Sequence, residues 1–461
     1  MSLTRRAALA AAATLPLAPP ALRAQPPAGL PDGERRLFDA GLWSLPNGLR
    51  VVHVEQRRAP VVAHFLYYGV GSGEDPAGRS GVAHFLEHMM FKGSPDVASG
   101  EFSRRVAREG GQDNAYTSRD VTAYHQTVEA SRLPMMAAME ADRLRGALIP
   151  AAEFDPEKSV ILEERNQRTD SNPRARFREA YEAAMWGPQH WHGRPVIGWA
   201  DEIRAITRDD LAEFHRRWYA PANAVLVVAG AVGEAELRRV VEDTYGAIED
   251  RGRPVRQRPA PPAAPLEARL VRNDPQVREA QLLRSWIAPS LTWGPAPADT
   301  RHAYPLEVLA HLFGGGPGSR LHKALVEGGL AVNAGAGYDS DDLGAGSFAL
   351  YATPRRDVSP QRLEAALEEE VAKLLDAGVS EAEVERSRRQ VTAGALLALD
   401  GLGSATRMFG NSLSIGLGPE EVEYWPARIR AVSAESVAAA ARAVFTHPSL
   451  TGWLLPEGIR A

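Results

Sequence analysis

The spacing of apolar and polar positions changes repeatedly along the chain, and each change predicts an element. Residues 41–56, "GLWSLPNGLRVVHVEQ", and 59–76, "APVVAHFLYYGVGSGEDP", are rich in β-branched and aromatic residues. They predict two strands joined by a turn, with Asn47-Gly48 as a turn signal ahead of the first. Ser80 stands as the expected N-cap of the apolar helix that follows, "GVAHFLEHMMFKG". Helices are expected near 100–109, 133–144 and 234–245, a strand over 121–128, and a strongly charged helix over 153–168. The unbroken apolar run "ANAVLVVAGAV" at 222–232 predicts a buried strand.

Over residues 249–266 this periodicity is replaced by prolines and arginines, "EDRGRPVRQRPAPPAAP", the composition of a semi-stiff linker. Beyond it the order of elements loosely recurs. A strand-like "AQLLRSWIAP" precedes the helix "RHAYPLEVLAHLFGG", a helix starting near Ser319, strand-like "GSFALYATP" and long helices from Pro360 onward. The expected fold class is therefore α+β, with a duplicated α/β-sandwich unit over residues 38–248 and 267–461. His311 falls where His84 falls in the first unit, but there the second reads "HLFGG". Two unrelated α/β domains would give a similar pattern, and that alternative stays open at this level.

Composition narrows the function classes. The 461 residues are too many for one core. Hydrophobic residues make up 44% and charged residues 24%, as in a globular protein. A net charge of −5 with no basic tract argues against a phosphate-binding surface for nucleic acid. The absence of cysteine removes thiolate ligands, so any zinc must be held by histidines and carboxylates. The start, "MSLTRRAALAAAATLPLAPPALRAQPP", has paired arginines, an apolar run and a small-residue end at Ala24. It predicts a signal peptide over residues 1–24 and export to the periplasm, by either the general or the twin-arginine route.

His84 and His88 are four residues apart, and in a helix their rings share one face with Glu87 beside them. Two imidazoles at that spacing can bind Zn²⁺, and the carboxylate can take a proton from a water on the ion. The bland alternative is a core helix with two satisfied histidines. Against it, an ionised Glu87 among Phe85, Leu86, Met89 and Met90 would cost several kcal/mol without a charged partner, on the order expected for buried carboxylates. A third ligand is required, and "DPEKSVILEERNQRTDSNP" offers Glu157, Glu163 and Glu164. Glu157 and Glu164 share a helical face, expected to be the buried one with Val160 and Ile161, whereas Glu163 points away. Glu164 is thus the expected ligand and Glu157 a supporting carboxylate, with an exposed acidic face as the alternative. His190 and His192, in "QHWHGRP", read as loop residues rather than a second metal site, and Arg143 and Arg145 receive no role.

The runs "HFLEHMMFKG", "DNAYTSRDVTAYH", "EKSVILEERNQRTDSNP" and "GRPVIGWADEIRAITRDDLAEFHRRWYAPANAVLVVAG" resemble, in order and spacing, the pitrilysin-type (inverzincin) zinc peptidases, in particular the mitochondrial-processing-peptidase-like branch. The resemblance implies zinc bound by His84, His88 and Glu164, Glu87 as general base and Glu157 in support. It places Asn114 and Ala115 on a strand edge that pairs with an extended peptide. It also implies half of a clamshell whose other half is a second chain. One part departs from the family pattern. Complete members carry an Arg and a Tyr, seven apart, in the later domain; here "HKALVEGGLAVNAG" has Val326 and Val332 near those places. With the glycine-rich "FGGGPGSRL", which a flexible connection would also explain, this implies a homologous partner subunit that supplies the Arg/Tyr pair.

These readings converge on an exported zinc endopeptidase acting as the zinc-bearing subunit of a heterodimer. Competing with it are a scaffold subunit with an intact metal site and a metal-binding protein without hydrolysis. Glu87, which is no ligand in this scheme, favours catalysis.

Overall fold

The computed structural model describes residues 22–25, 34–262, 267–294, 300–398 and 401–461. The expected leader lies outside the described residues except for Leu22–Ala24, where Leu22 bridges Leu42 and the Tyr424 hydroxyl donates to the Ala24 carbonyl. Among the described residues no helix is long and apolar enough to cross a membrane.

Two mixed sheets organise the chain. The first contains β1 (Gly41–Ser44), β2 (Arg50–Glu55), β3 (Val61–Tyr68), β4 (Gln112–Thr117), β5 (Thr122–Glu129) and β6 (Ala224–Gly230), in the order β1-β2-β6-β3-β5-β4. The second contains β7 (Ala268–Asp274), β8 (Gln281–Ala288), β9 (Ala331–Tyr338), β10 (Gly346–Pro354) and β11 (Leu450–Pro456), in the order β7-β11-β8-β10-β9. Apart from β1 the two orders correspond strand for strand. In each sheet one pair is parallel, β2 with β6 and β7 with β11, and the rest are antiparallel. The expected α+β fold with two similar sandwich units is present. Asn47-Gly48 lies in the turn between β1 and β2, but the two strands expected to be joined by a turn, β2 and β3, are not neighbours. β6 lies between them, because its continuous apolar run is the one suited to the sheet centre.

Both faces of β6 are buried. Leu226 and Val228 face one core with the histidine-bearing helix (Val82–Met89), while Val225 and Val227 face another that contains Phe409 and Leu413. Those last two residues belong to the helix Leu402–Ser414, which comes from the far half of the chain. The exchange is reciprocal: Phe177 and Tyr181, on the helix Pro173–Trp186, pack against Leu450 and Leu454 of β11. A glycine permits each close approach. A Cβ on Gly410 would sit 2.0 Å from the Tyr67 ring, and one on Gly452 would sit 2.5 Å from the Tyr181 ring. Each sheet is thus completed by a helix from the other half.

The described part of the Pro/Arg-rich segment is strapped to the first sheet. Arg256 donates to the carbonyls of Gly69 and Asp120, and Arg258 pairs with Glu74 and Asp120. Asp120 also accepts the Leu343 N–H, so one carboxylate joins this segment to the second half.

Candidate metal centre

The histidine helix does not start as the sequence suggests. Gly81, at φ 95°, takes the N-cap position, and the Asp75 carboxylate accepts the N–H groups of Gly81 and Ala83 at 2.7 and 2.8 Å. Asp75 therefore satisfies the helix donors that Ser80 was expected to satisfy. Ser80 instead accepts the Trp199 N–H at 2.9 Å, and its own N–H reaches Glu202 at 2.7 Å. The "GWADE" segment is thereby fixed across the helix start. Gly198 is required in this crossing, since it has φ 92° and a Cβ there would lie 2.3 Å from the Ser80 carbonyl.

The charged helix runs over Ala151–Arg165 and continues as a wider π turn over Asn166–Asp170. Its buried stripe is Phe154, Glu157, Ile161 and Arg165. Val160, expected inside, is 50% exposed because it falls one position off that stripe. Glu163 faces solvent and accepts a bond from Gln167, whereas Glu164 faces the histidines.

His84 Nε2 lies 3.8 Å from one Glu164 oxygen and His88 Nε2 lies 3.4 Å from the other. One donor atom from each of the three residues falls within 4.8 Å of the others, and no second such group occurs among the described residues. Tetrahedral zinc with bonds of about 2.0–2.2 Å needs donor separations of roughly 3.4 Å, so these residues fit the ion with small closure. Glu157 accepts from His88 Nδ1 at 2.8 Å, which turns Nε2 of that ring toward the centre. Lys92 holds the other Glu157 oxygen at 2.6 Å. His84 has no such anchor, since its Nδ1 is buried without a partner among the described residues.

The electrostatics divide the two rings. Burial, aided by the neighbouring His88, lowers the pKa of His84 and keeps that ring neutral. Burial alone would also lower His88, but its bonds to Glu157 and Glu164 prevail and lift it to about 9. The same His88 bond is the main cause that brings Glu157 down to about 2, and it lowers Glu164 as well. Glu87 is raised by burial, against a bond from Thr117 Oγ1 to its Oε2 at 2.6 Å.

A cleft of about 740 Å³ opens over these groups, lined among others by Asn114, Ala115, Tyr116 and Thr117 and by Ala175, Arg178, Glu179 and Glu182 of the helix Pro173–Trp186. Asn114 and Ala115 lie on β4, which among the described residues is an edge strand paired only with β5. Thr117, Lys92 and Asp75 were not singled out from sequence, although the first two lie inside the motif runs. Arg143 is fully buried, paired with Glu140 and placed over the rings of Phe91, Phe102 and Tyr124. His190 and His192 stack with Trp186 and Trp191, and His192 Nε2 meets the Ala345 carbonyl at 2.6 Å. In the second half, His311 Nδ1 meets Ser387 Oγ at 2.8 Å, so the corresponding helix pair carries a hydrogen bond in place of three ligands.

Comparison with known proteins gives the same direction. The family described as Insulinase (Peptidase family M16) matches residues 50–195, and the one described as Peptidase M16 inactive domain matches residues 205–391. An uncharacterized zinc protease of Mycobacterium tuberculosis is 31% identical over 422 residues, covering 90% of this chain and 93% of that protein. Zinc protease PqqE of Helicobacter pylori is 27% identical over 376 residues, covering 80% and 82%. A protease from Helicobacter pylori shares the fold at a TM-score of 0.81 with 23% identity, covering 92% of this chain and 100% of that one. The periplasmic protease PqqL from Escherichia coli aligns at 0.76 with 22% identity, covering 92% of this chain but 48% of that one. The chain belongs to the insulinase, or pitrilysin, family of zinc peptidases, family M16.

Proposed function

We propose that this chain is an exported zinc endopeptidase that cleaves extended or unfolded peptides, and that it is the zinc-bearing subunit of a heterodimer. The observation that carries the reading is the meeting of His84, His88 and Glu164 beside Glu87, under an unpaired strand edge. Zinc held there would supply a Lewis acid and lower the pKa of a water to about 7. Glu87 has one oxygen fixed by Thr117, which leaves the other to take the water's proton and pass it to the leaving amine. β4 presents Asn114 and Ala115 for backbone pairing with the peptide, a mode that reads main chain more than side chain. Glu157 holds the His88 ring and so keeps the ligand set aligned.

The partner is supported by what stands in the second half. Val326 lies in a π-helical turn and Val332 is 60% exposed on β9, and neither can supply a charge or a hydroxyl to a substrate. PqqL, about half of which this chain spans, gives a related fold inside a chain of about twice the length. The test is to purify the chain, load it with zinc and assay peptide cleavage with and without a homologous chain carrying the Arg/Tyr pair. Cleavage that requires the second chain supports the heterodimer; full cleavage by the isolated chain contradicts it.

A further inference from the structure

Charge in the cleft is distributed unevenly once each pair is assigned. Besides Glu87 and Glu164, the lining contains two carboxylates, Glu179 and Glu182, and three arginines, Arg119, Arg168 and Arg178. Both oxygens of Glu179 accept from the buried Arg165 at 2.9 Å. Both oxygens of Glu182 are also engaged, one by Arg119 at 2.6 Å and the other by Arg178 at 3.1 Å. Glu87 and Glu164 aside, no carboxylate among the described residues of the lining is left without an arginine partner to receive a lysine or arginine of a substrate. By contrast, the side chains of Arg168 and Arg178 are 74% and 70% exposed. Arg168 pairs with the Glu164 oxygen nearer His84, at 2.7 Å, and Arg178 shares its partner with Arg119. The positive wall continues beyond the metal centre, because Arg178 and Arg174 also line an adjoining cavity of about 270 Å³.

We propose that this cleft selects peptides that carry an acidic side chain, with Arg178 and Arg168 as the residues that read it. The proposal rests on the peptidase reading above and adds a substrate class to it. Edge pairing on β4 reads main chain, so the side chains that line the rest of the cleft must supply whatever selectivity exists. An aspartate or glutamate projecting from a strand paired with β4 meets guanidinium groups suited to bidentate contact, whereas a lysine meets like charge.

The test uses zinc-loaded protein carrying Glu87→Gln, so that binding is read without turnover. Fluorescent peptides that differ in one scanned position, Glu, Gln or Lys, are titrated at low salt and followed by anisotropy. At the responsive position the Glu peptide should bind roughly five- to tenfold more tightly than the Lys peptide, as one exposed charge-assisted contact allows. Arg178→Gln should level that ratio, and Arg178→Glu should invert it with no loss of melting temperature that would signal misfolding. Equal binding of Glu and Lys peptides at every position, or a ratio that survives both Arg178→Glu and Arg168→Glu, overturns the proposal. If charge selection is seen while wild-type protein with its partner cleaves nothing, the peptidase reading fails and this one stands. Cleavage that ignores charge gives the reverse.

Discussion

Nδ1 of His88 lies 2.8 Å from Oε1 of Glu157, and this one contact fixes a ring whose Nε2 lies 3.4 Å from Glu164 on its other side. Glu157→Gln should keep the fold but weaken zinc binding by about 10- to 100-fold, the usual effect of losing such a supporting group. Competition with a calibrated chelator measures it. Unchanged affinity would show that the ring is held by packing alone.

The same contact predicts proton release. With His88 lifted to about 9, the metal-free protein carries a proton on that ring at neutral pH, and a ligating ring cannot keep it. Zinc binding at pH 7 should therefore release roughly one proton, and apparent affinity should fall about tenfold per pH unit below 9. Calorimetry in two buffers of different ionisation enthalpy gives the proton count.

Thr117→Val removes the hydroxyl that donates to Glu87. That bond favours the carboxylate over the acid, so its loss should raise the Glu87 pKa further and move the acid limb of kcat/KM to higher pH. A decrease in kcat of roughly tenfold is expected, on the scale of one charge-assisted hydrogen bond, with zinc content unchanged. A pH-rate profile beside metal analysis checks both parts.

Asp342 is pushed up to about 8, by burial first and then by Asp120, Asp339 and Asp341. Its folded pKa stands above its unfolded value of 3.8, so the folded state holds the proton more tightly. The contribution is present at low pH and is lost as pH rises from about 4 to about 8. Asp342→Asn should therefore melt several degrees above wild type at pH 8, the effect of a few kcal/mol at order of magnitude, and the two curves should converge below about pH 4. Parallel curves would show that the carboxyl is solvated.

Much of the centre was legible because a helix has a fixed period. Four-residue spacing placed His84 and His88 together, and seven-residue spacing put Glu157 and Glu164 on one face and Glu163 on the other. The same arithmetic failed at Val160, since a buried stripe is set by what the helix packs against as well as by its period. Ser80 was misread as a cap because a carboxylate six residues before Gly81 reaches the same donors, and folding of the intervening loop decides that. Thr117 reaches Glu87 only through the register of β4 on β5, and the helices exchanged between sheets involve contacts across more than 200 residues. Neither leaves a local mark in the sequence beyond Gly410 and Gly452, whose reason appears only once Tyr67 and Tyr181 are seen against them.

The most direct measurement compares wild type with Glu87→Gln, each tested for zinc content and, with the homologous partner chain present, for peptide cleavage. The variant should retain one zinc per chain while cleavage falls by about 10²- to 10⁴-fold, the range for removal of a general base. Cleavage at the wild-type rate by a zinc-loaded Glu87→Gln protein would contradict the assignment of this carboxylate and the chemistry built on it.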